Sequence, residues 1–240
     1  MRKKNSGFTL VEVTIILLVL VILGAILLPT IQRWIDLARL ARVKEDVGAI
    51  ASCISLFLYD NCTSWFHVDG DWDCYTDANR VDLLIGDGDI PQTIFGPAST
   101  DDYWSKPYGL AHFVDRISNH LALGDPFFPE DNSIATAPYA QNMTVNPFGC
   151  GFRGAYISTP ISPDPWGNRY MVNTAWLGPR GTNRVFGTSS QAEFSNYDVF
   201  VLSAGPDETV STEFQVGTPP VPTGLIAGGD DVVALISGGQ

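Results

Sequence analysis

Hydrophobic and polar positions divide this chain into three regimes. From Phe8 to Leu28 the side chains are almost all apolar, and Glu12 is the single charged residue among them. A helix needs roughly 20 apolar residues to cross a bilayer, and in lipid a helix lets such a run satisfy its own backbone. Arg2, Lys3 and Lys4 precede the run, which predicts a cytoplasmic amino terminus and an exported remainder. Past Pro29 the apolar residues become periodic. Leu40, Val43, Val47, Ile50, Ile54 and Phe57 recur at spacings of three and four, with Arg39, Arg42, Lys44, Glu45 and Asp46 off that stripe. The spacing predicts that the helix continues to about Tyr59, kinked or loosened at Pro29, where proline has no N–H to give. Its length would be roughly 75 Å at 1.5 Å per residue. The stripe is expected to pack under a sheet, while Ile31, Trp34, Ile35 and Ala38 face other chains or lipid.

From Asp60 to Asp102 the periodicity disappears, and ten aspartates accompany one basic residue, Arg80. Trp65, Trp72 and Trp104 lie in or beside this stretch. So many aromatics rarely stay in solvent, which predicts ordered loops with short elements rather than a disordered tract. Ala111 to Leu123 reads as a short helix. Phe113, Ile117 and Leu121 would lie on one side, and His112, Arg116 and His120 on the other, at the surface. Gly124-Asp125-Pro126 stops it, and a Pro/Asn-rich connection runs to about residue 154. The segment Pro163-Asp164-Pro165-Trp166-Gly167-Asn168-Arg169-Tyr170 is dense in turn formers. Strands are expected over Arg169–Leu177, Asn196–Ser203 and Asp231–Ile236, and their short polar turns favour an antiparallel sheet. The fold class is therefore α+β.

Charge sharpens this division. The net charge is -12, yet seven of the 14 Lys and Arg lie at or before Lys44, while 22 of the 26 Asp and Glu lie beyond residue 46. The exported part is strongly acidic, which argues against a nucleic-acid partner and suits either solubility or divalent cations. The 16 Pro and 23 Gly predict many turns.

Glu12 carries the most specific information. A carboxylate near the edge of the hydrocarbon costs a few kcal/mol, so it needs a partner. A cleavable secretory signal would end in small residues two apart, and neither Leu23-Gly24-Ala25 nor Ile26-Leu27-Leu28 offers them. A plain signal anchor would give Glu12 no role. Lys3-Lys4-Asn5-Ser6-Gly7-Phe8-Thr9-Leu10-Val11-Glu12 resembles the processing site of type IV pilins and type II secretion pseudopilins. The resemblance implies that prepilin peptidase cuts after Gly7 and that the new amino-terminal Phe8 is N-methylated. It implies further that Glu12 pairs with the amine of Phe8 on a neighbouring copy, fixing the axial register of a homopolymer. Pro29 matches a proline near which filaments of this family are locally melted. An inner-membrane assembly platform and minor pilins or pseudopilins are the implied partners.

The carboxy-terminal region narrows the resemblance. Asp164-Pro165-Trp166-Gly167-Asn168, Leu202-Ser203-Ala204-Gly205-Pro206-Asp207 and Gly229-Asp230-Asp231-Val232 look like the head of the major pseudopilin of type II secretion. In that family a loop between the last strands binds calcium through carboxylates and backbone oxygens. Carried over by position, Asp207, Asp230 and Asp231 are the candidate calcium ligands, with Ser203 a weaker one. The likeness divides the chain into a leader (1–7), an assembly helix (8–59), an acidic insertion (60–154) and a sheet with its calcium-type loop (155–240). The insertion, and the long stretch between Asp207 and Asp230, depart from the family pattern. Asp69, Asp71 and Asp73 imitate the start of an EF-hand loop, but Cys74 and Arg80 stand where its glycine and closing glutamate belong.

Cys53, Cys62, Cys74 and Cys150 all fall on the exported side, where disulfides persist. Three pairings are open; the expected one joins Cys62 to Cys74 and Cys53 to Cys150. With three His, no nucleophile elbow and no phosphate loop, the chain shows no catalytic constellation. The expected function is structural: a filament subunit anchored in the inner membrane, belonging to a periplasmic pseudopilus or alternatively to a surface pilus for adhesion or motility. A membrane-anchored ligand- or calcium-binding module that never polymerises is the competing class.

Overall fold

The structure is a computed structural model. It describes residues 8–61, 66, 81, 83–94, 104, 116–124, 151–158, 161–174, 177, 198–212 and 227–236. The chain separates into two units, residues 1–42 and residues 43–240. Helix α1 (Leu10–Asn61) is long, and its first part belongs to the former. It runs unbroken through Pro29, although that residue has no N–H to give to the carbonyl of Ala25. In the first unit the large apolar residues, from Leu10 to Leu37, are solvent-facing. This segment is long and apolar enough to cross a membrane by length and composition.

The second unit is built on the last five turns of α1. Val43, Val47, Ile50, Ile54 and Phe57 are buried, joined by Ala51 and Leu58. The stripe read from spacings of three and four is thus the core face of this part of the helix. Burying side chains of this size contributes about 1.5–3 kcal/mol each. Tyr170 fastens the start of the sheet to this helix, because its phenol donates to Asp46 Oδ2 at 2.8 Å.

The sheet has four antiparallel strands: β1 (Leu84–Ile85), β3 (Met171–Val172), β4 (Phe200–Ser203) and β6 (Val232–Leu235), in the order β1-β3-β4-β6. A separate parallel pair joins β2 (Thr93–Ile94) to β5 (Thr209–Val210). The chain is α+β. One difference from the sequence reading stands out. The strands are shorter than expected, because side chains take over the ladder at their ends. Asn173 Oδ1 accepts the N–H of Phe200 at 2.8 Å and its Nδ2 donates to Asp198 O at 3.0 Å, so β3 stops at Val172. The insertion, read as ordered loops with short elements, supplies the edge strand β1 and the strand β2.

All four residues of β4 are buried, so both faces of that strand are covered, since successive side chains point to opposite faces. Trp104, from the insertion, meets Phe200 edge-on with ring centroids 5.8 Å apart. Farther along, Phe57 stacks on Phe66 at 5.0 Å and meets Tyr156 edge-on at 5.6 Å. Phe66 and Trp104 of the insertion are thus buried, while Trp65 and Trp72 lie outside the described residues.

The expected helix near residue 120 is, in its described part, a π-helical turn (Asn119–Leu123) closed by Gly124 at φ 65°. Ile117 and Leu121 are buried as expected, but His120 is buried too, with its ring edge against Phe66 at 5.1 Å. The surface placement of His120 is therefore corrected. A wider π turn does not keep the four-residue spacing on one side, so Asn119, His120 and Leu121 all turn inward. His112 and Phe113 lie outside the described residues, as do Asp69, Asp71 and Asp73.

Candidate functional site

At the start of α1, Thr9 and Glu12 hold one another. Thr9 N–H and Thr9 Oγ1 both donate to Glu12 Oε2, each at 3.1 Å, and Glu12 N–H returns to Thr9 Oγ1 at 3.3 Å. This is a capping box, with Thr at the cap and Glu three residues on. It satisfies amide donors that a helix start leaves orphaned, and it sets a carboxylate where the helix dipole favours one. Glu12 thus has a partner within its own chain. Sequence reading passed over the Thr-x-x-Glu spacing that signals it. Phe8 is exposed ahead of the box, and Gly7 lies outside the described residues.

The carboxy-terminal candidates gather at one end of β4 and β6. Gly205 turns the chain at φ 72°, and a Cβ there would lie 2.6 Å from the carbonyl oxygen of Asp230, so only glycine lets the two loops approach. Across that contact Asp207 N–H donates to Asp230 Oδ2 at 3.3 Å, and Thr209 N–H donates to Asp207 Oδ1 at 2.8 Å. Burial raises the Asp230 carboxyl above its ordinary range, and the adjoining Asp207 carboxylate raises it further. Asp231 Oδ2 accepts three bonds: from Ser211 N–H at 2.9 Å, Thr212 N–H at 2.6 Å and Thr212 Oγ1 at 2.6 Å. Burial nevertheless raises the Asp231 carboxyl, against those bonds.

Two oxygens here have no donor. Asp230 Oδ1 and Asp231 Oδ1 are both buried and without a hydrogen-bond partner. Asp231 as a whole is only 7% exposed. A buried carboxylate oxygen left bare is costly. A hard cation bound by oxygen ligands would satisfy such atoms and replace the repulsion between Asp207 and Asp230 with attraction. Among the described residues no three acidic, His or Cys side chains converge into a ready metal cluster. Asp207, Asp230 and Asp231 fit calcium only with backbone oxygens completing the set.

Ser203 does not join them. Its hydroxyl donates to Asp164 Oδ2 at 2.7 Å and accepts from Gly205 N–H at 3.4 Å. Asp164 Oδ1 accepts from Trp166 N–H at 3.0 Å and Asn168 N–H at 2.9 Å. The buried Asp164 therefore closes the Asp-Pro-Trp-Gly-Asn turn and clamps it to the end of β4. Ser203 thus holds this turn through its hydroxyl.

Cys53 is a free thiol. Its Sγ–H donates to the carbonyl of Tyr156 at 3.1 Å, and burial pushes the thiol up. The expected bridge from Cys53 is therefore absent, since the helix directs this thiol at the 152–156 loop backbone. Cys62, Cys74 and Cys150 lie outside the described residues. The same loop is tied down by Tyr156, whose phenol donates to Asp60 Oδ2 at 3.0 Å, and by Gly151 N–H, which donates to Asp60 O at 2.9 Å. Burial, with the Asp60 carboxylate beside it, pushes the Tyr156 phenol up to about 12.

The amino-terminal sequence also matches a known motif. Residues 2–28 match the prokaryotic N-terminal methylation motif. Over 60 residues the chain is 35% identical to the type II secretion system core protein G of Pseudomonas aeruginosa, a stretch covering 25% of this chain. The match spans 42% of that relative's length, less than half of it. No solved structure matches the chain.

Proposed function

We propose that this chain is a structural subunit of a type IV pilus-like filament, and that the filament is the pseudopilus of a type II secretion system. The observation that carries the reading is the junction at Gly7-Phe8: a charged leader meets a methylation motif, and an exposed apolar helix begins with a single carboxylate. Cleavage after Gly7 leaves the amine of Phe8 beside that carboxylate's end of the helix. In an assembled bundle Glu12 pairs with this amine on a neighbour, since opposite charges in a low-dielectric medium attract strongly and each alone is penalised. The apolar face from Leu10 to Leu37 is then covered by other copies or by lipid. Likeness to core protein G supports the pseudopilus over a surface pilus.

The head's acidic loop takes calcium in this reading. Asp207, Asp230 and Asp231 would hold it, helped by backbone oxygens, and the ion would supply the positive charge that three neighbouring carboxylates lack. The bare Oδ1 atoms of Asp230 and Asp231 support that assignment.

The test is the mass of the amino-terminal peptide of this protein, taken from membranes and from filaments sheared off cells. A subunit beginning at N-methylated Phe8 and retained in the membrane and periplasm is the expected result. The same peptide in abundant sheared filaments would move the assignment to a surface pilus for adhesion or motility. An intact Met1 end everywhere would sink the filament reading and leave a membrane-anchored binding module.

A further inference from the structure

We infer that the acidic loop docks the insertion, so that a divalent cation on Asp207 and Asp230 fixes the inserted region to the sheet. This rests on the calcium reading above and extends it to residues that touch no ligand.

The loop from Asp207 to Thr212 has two sides. One side faces the acidic turn: Asp230 Oδ2 takes the N–H of Asp207, and Asp231 Oδ2 takes both the Ser211 and the Thr212 N–H. The other side faces the insertion. Gln92 N–H donates to Glu208 O at 3.0 Å, and Gln92 Nε2 donates to Glu208 Oε2. Thr93 and Ile94 then pair with Thr209 and Val210 in the parallel β2–β5 ladder. At the loop's end the indole N–H of Trp104 donates to Thr212 O at 3.0 Å, in a buried setting. The same six residues are thus held by aspartates on one side and grip the insertion at two places on the other.

The grip depends on the loop's shape. Glu208 sits at φ 56°, a left-handed conformation that a side chain adopts only when its surroundings impose it. A two-residue parallel pair has little stability of its own. Without a cation, the Asp207 and Asp230 carboxylates repel at the point where the loop turns. With one, they are drawn together, and the Glu208 carbonyl and β5 are kept where Gln92 and β2 need them. A ligand that binds only the docked form multiplies its population by one plus the ratio of ligand concentration to Kd. By linkage, docking must tighten cation binding by the same factor.

The experiment uses the full chain in detergent micelles, with calcium chloride as the probe and chelator as the reference. Calorimetry gives the calcium Kd, and hydrogen exchange followed by mass spectrometry reads the Gln92 amide. At calcium about 100-fold above Kd, exchange at Gln92 is expected to slow by at least about tenfold, with β3 and β4 unchanged. Asp207→Asn with Asp230→Asn should abolish the effect. Gln92→Leu, an exposed position, should weaken calcium binding several-fold while the sheet stays protected. Calcium that binds yet leaves Gln92 exchange unchanged would overturn this inference and spare the calcium site. An absence of calcium binding at millimolar concentration would overturn both.

Discussion

Thr9 and Glu12 exchange three hydrogen bonds at the first turn of α1, so the one carboxylate of the apolar segment is satisfied before any second copy arrives. This changes what Glu12 does for the single chain. The capping box lowers the penalty of holding a charge at the hydrocarbon edge, and pairing with a neighbour's amine would have to outcompete it.

Thr9→Val should therefore cost about 1 kcal/mol at the helix start, the usual loss for a capping hydroxyl, and reduce filament yield in a shearing assay. Thr9→Ser should keep the yield. Glu12→Leu should abolish assembly while leaving the subunit inserted, since it removes a charge from lipid and creates none. Filaments of normal yield from Glu12→Leu would contradict the pairing with Phe8.

Asp164 ties the Asp-Pro-Trp-Gly-Asn turn to the end of β4. Hydrogen bonds to a charged group contribute about 1.5–3 kcal/mol each, and Asp164 accepts three from side chain and backbone. Asp164→Ala should lower the denaturation midpoint, and by more than Ser203→Ala, which removes only one of these bonds. Ser203→Ala should cost about 1 kcal/mol and leave calcium affinity unchanged, because its hydroxyl points to Asp164. A several-fold loss of calcium affinity in Ser203→Ala would restore it as a ligand.

Asp230 and Asp231 have folded-state carboxyls raised above the ordinary value of 3.8. A group whose folded form binds its proton more tightly than the unfolded form favours the fold while protonated. In chelator, that contribution should be complete below the ordinary carboxylate value. It should be lost as pH rises from there through the raised one. Asp230→Asn should flatten this fall in thermal scans. Calcium should reverse the trend, because it binds the ionised form. A chelated wild type with the same pH profile as Asp230→Asn would count against the cramped Asp207–Asp230 pair.

Cys53 should react as a free thiol. Alkylation of the unreduced protein followed by digestion should label Cys53, slowly at neutral pH because burial disfavours the thiolate. Cys53→Ser should leave the melting temperature within a few degrees, since a hydroxyl can still donate to Tyr156 O. Recovery of Cys53 in a disulfide-linked peptide would restore the bridge expected from sequence.

The sequence by itself determined the long helix and its inward stripe, because a 3.6-residue period and a run of some 20 apolar residues are local properties. It also carried the leader junction and the α+β class, whereas Asp207, Asp230 and Asp231 were singled out only by the family resemblance. Only the tertiary structure decided which groups met across the fold. That Ser203 serves Asp164, that Cys53 faces a backbone carbonyl and that His120 is buried depend on contacts between residues 39, 103 and 54 positions apart in the chain. The insertion's share of the sheet was hidden for the same reason. Two-residue strands such as β1 and β2 carry too little periodicity to be read locally, and exist only because β3 and β5 offer them an edge.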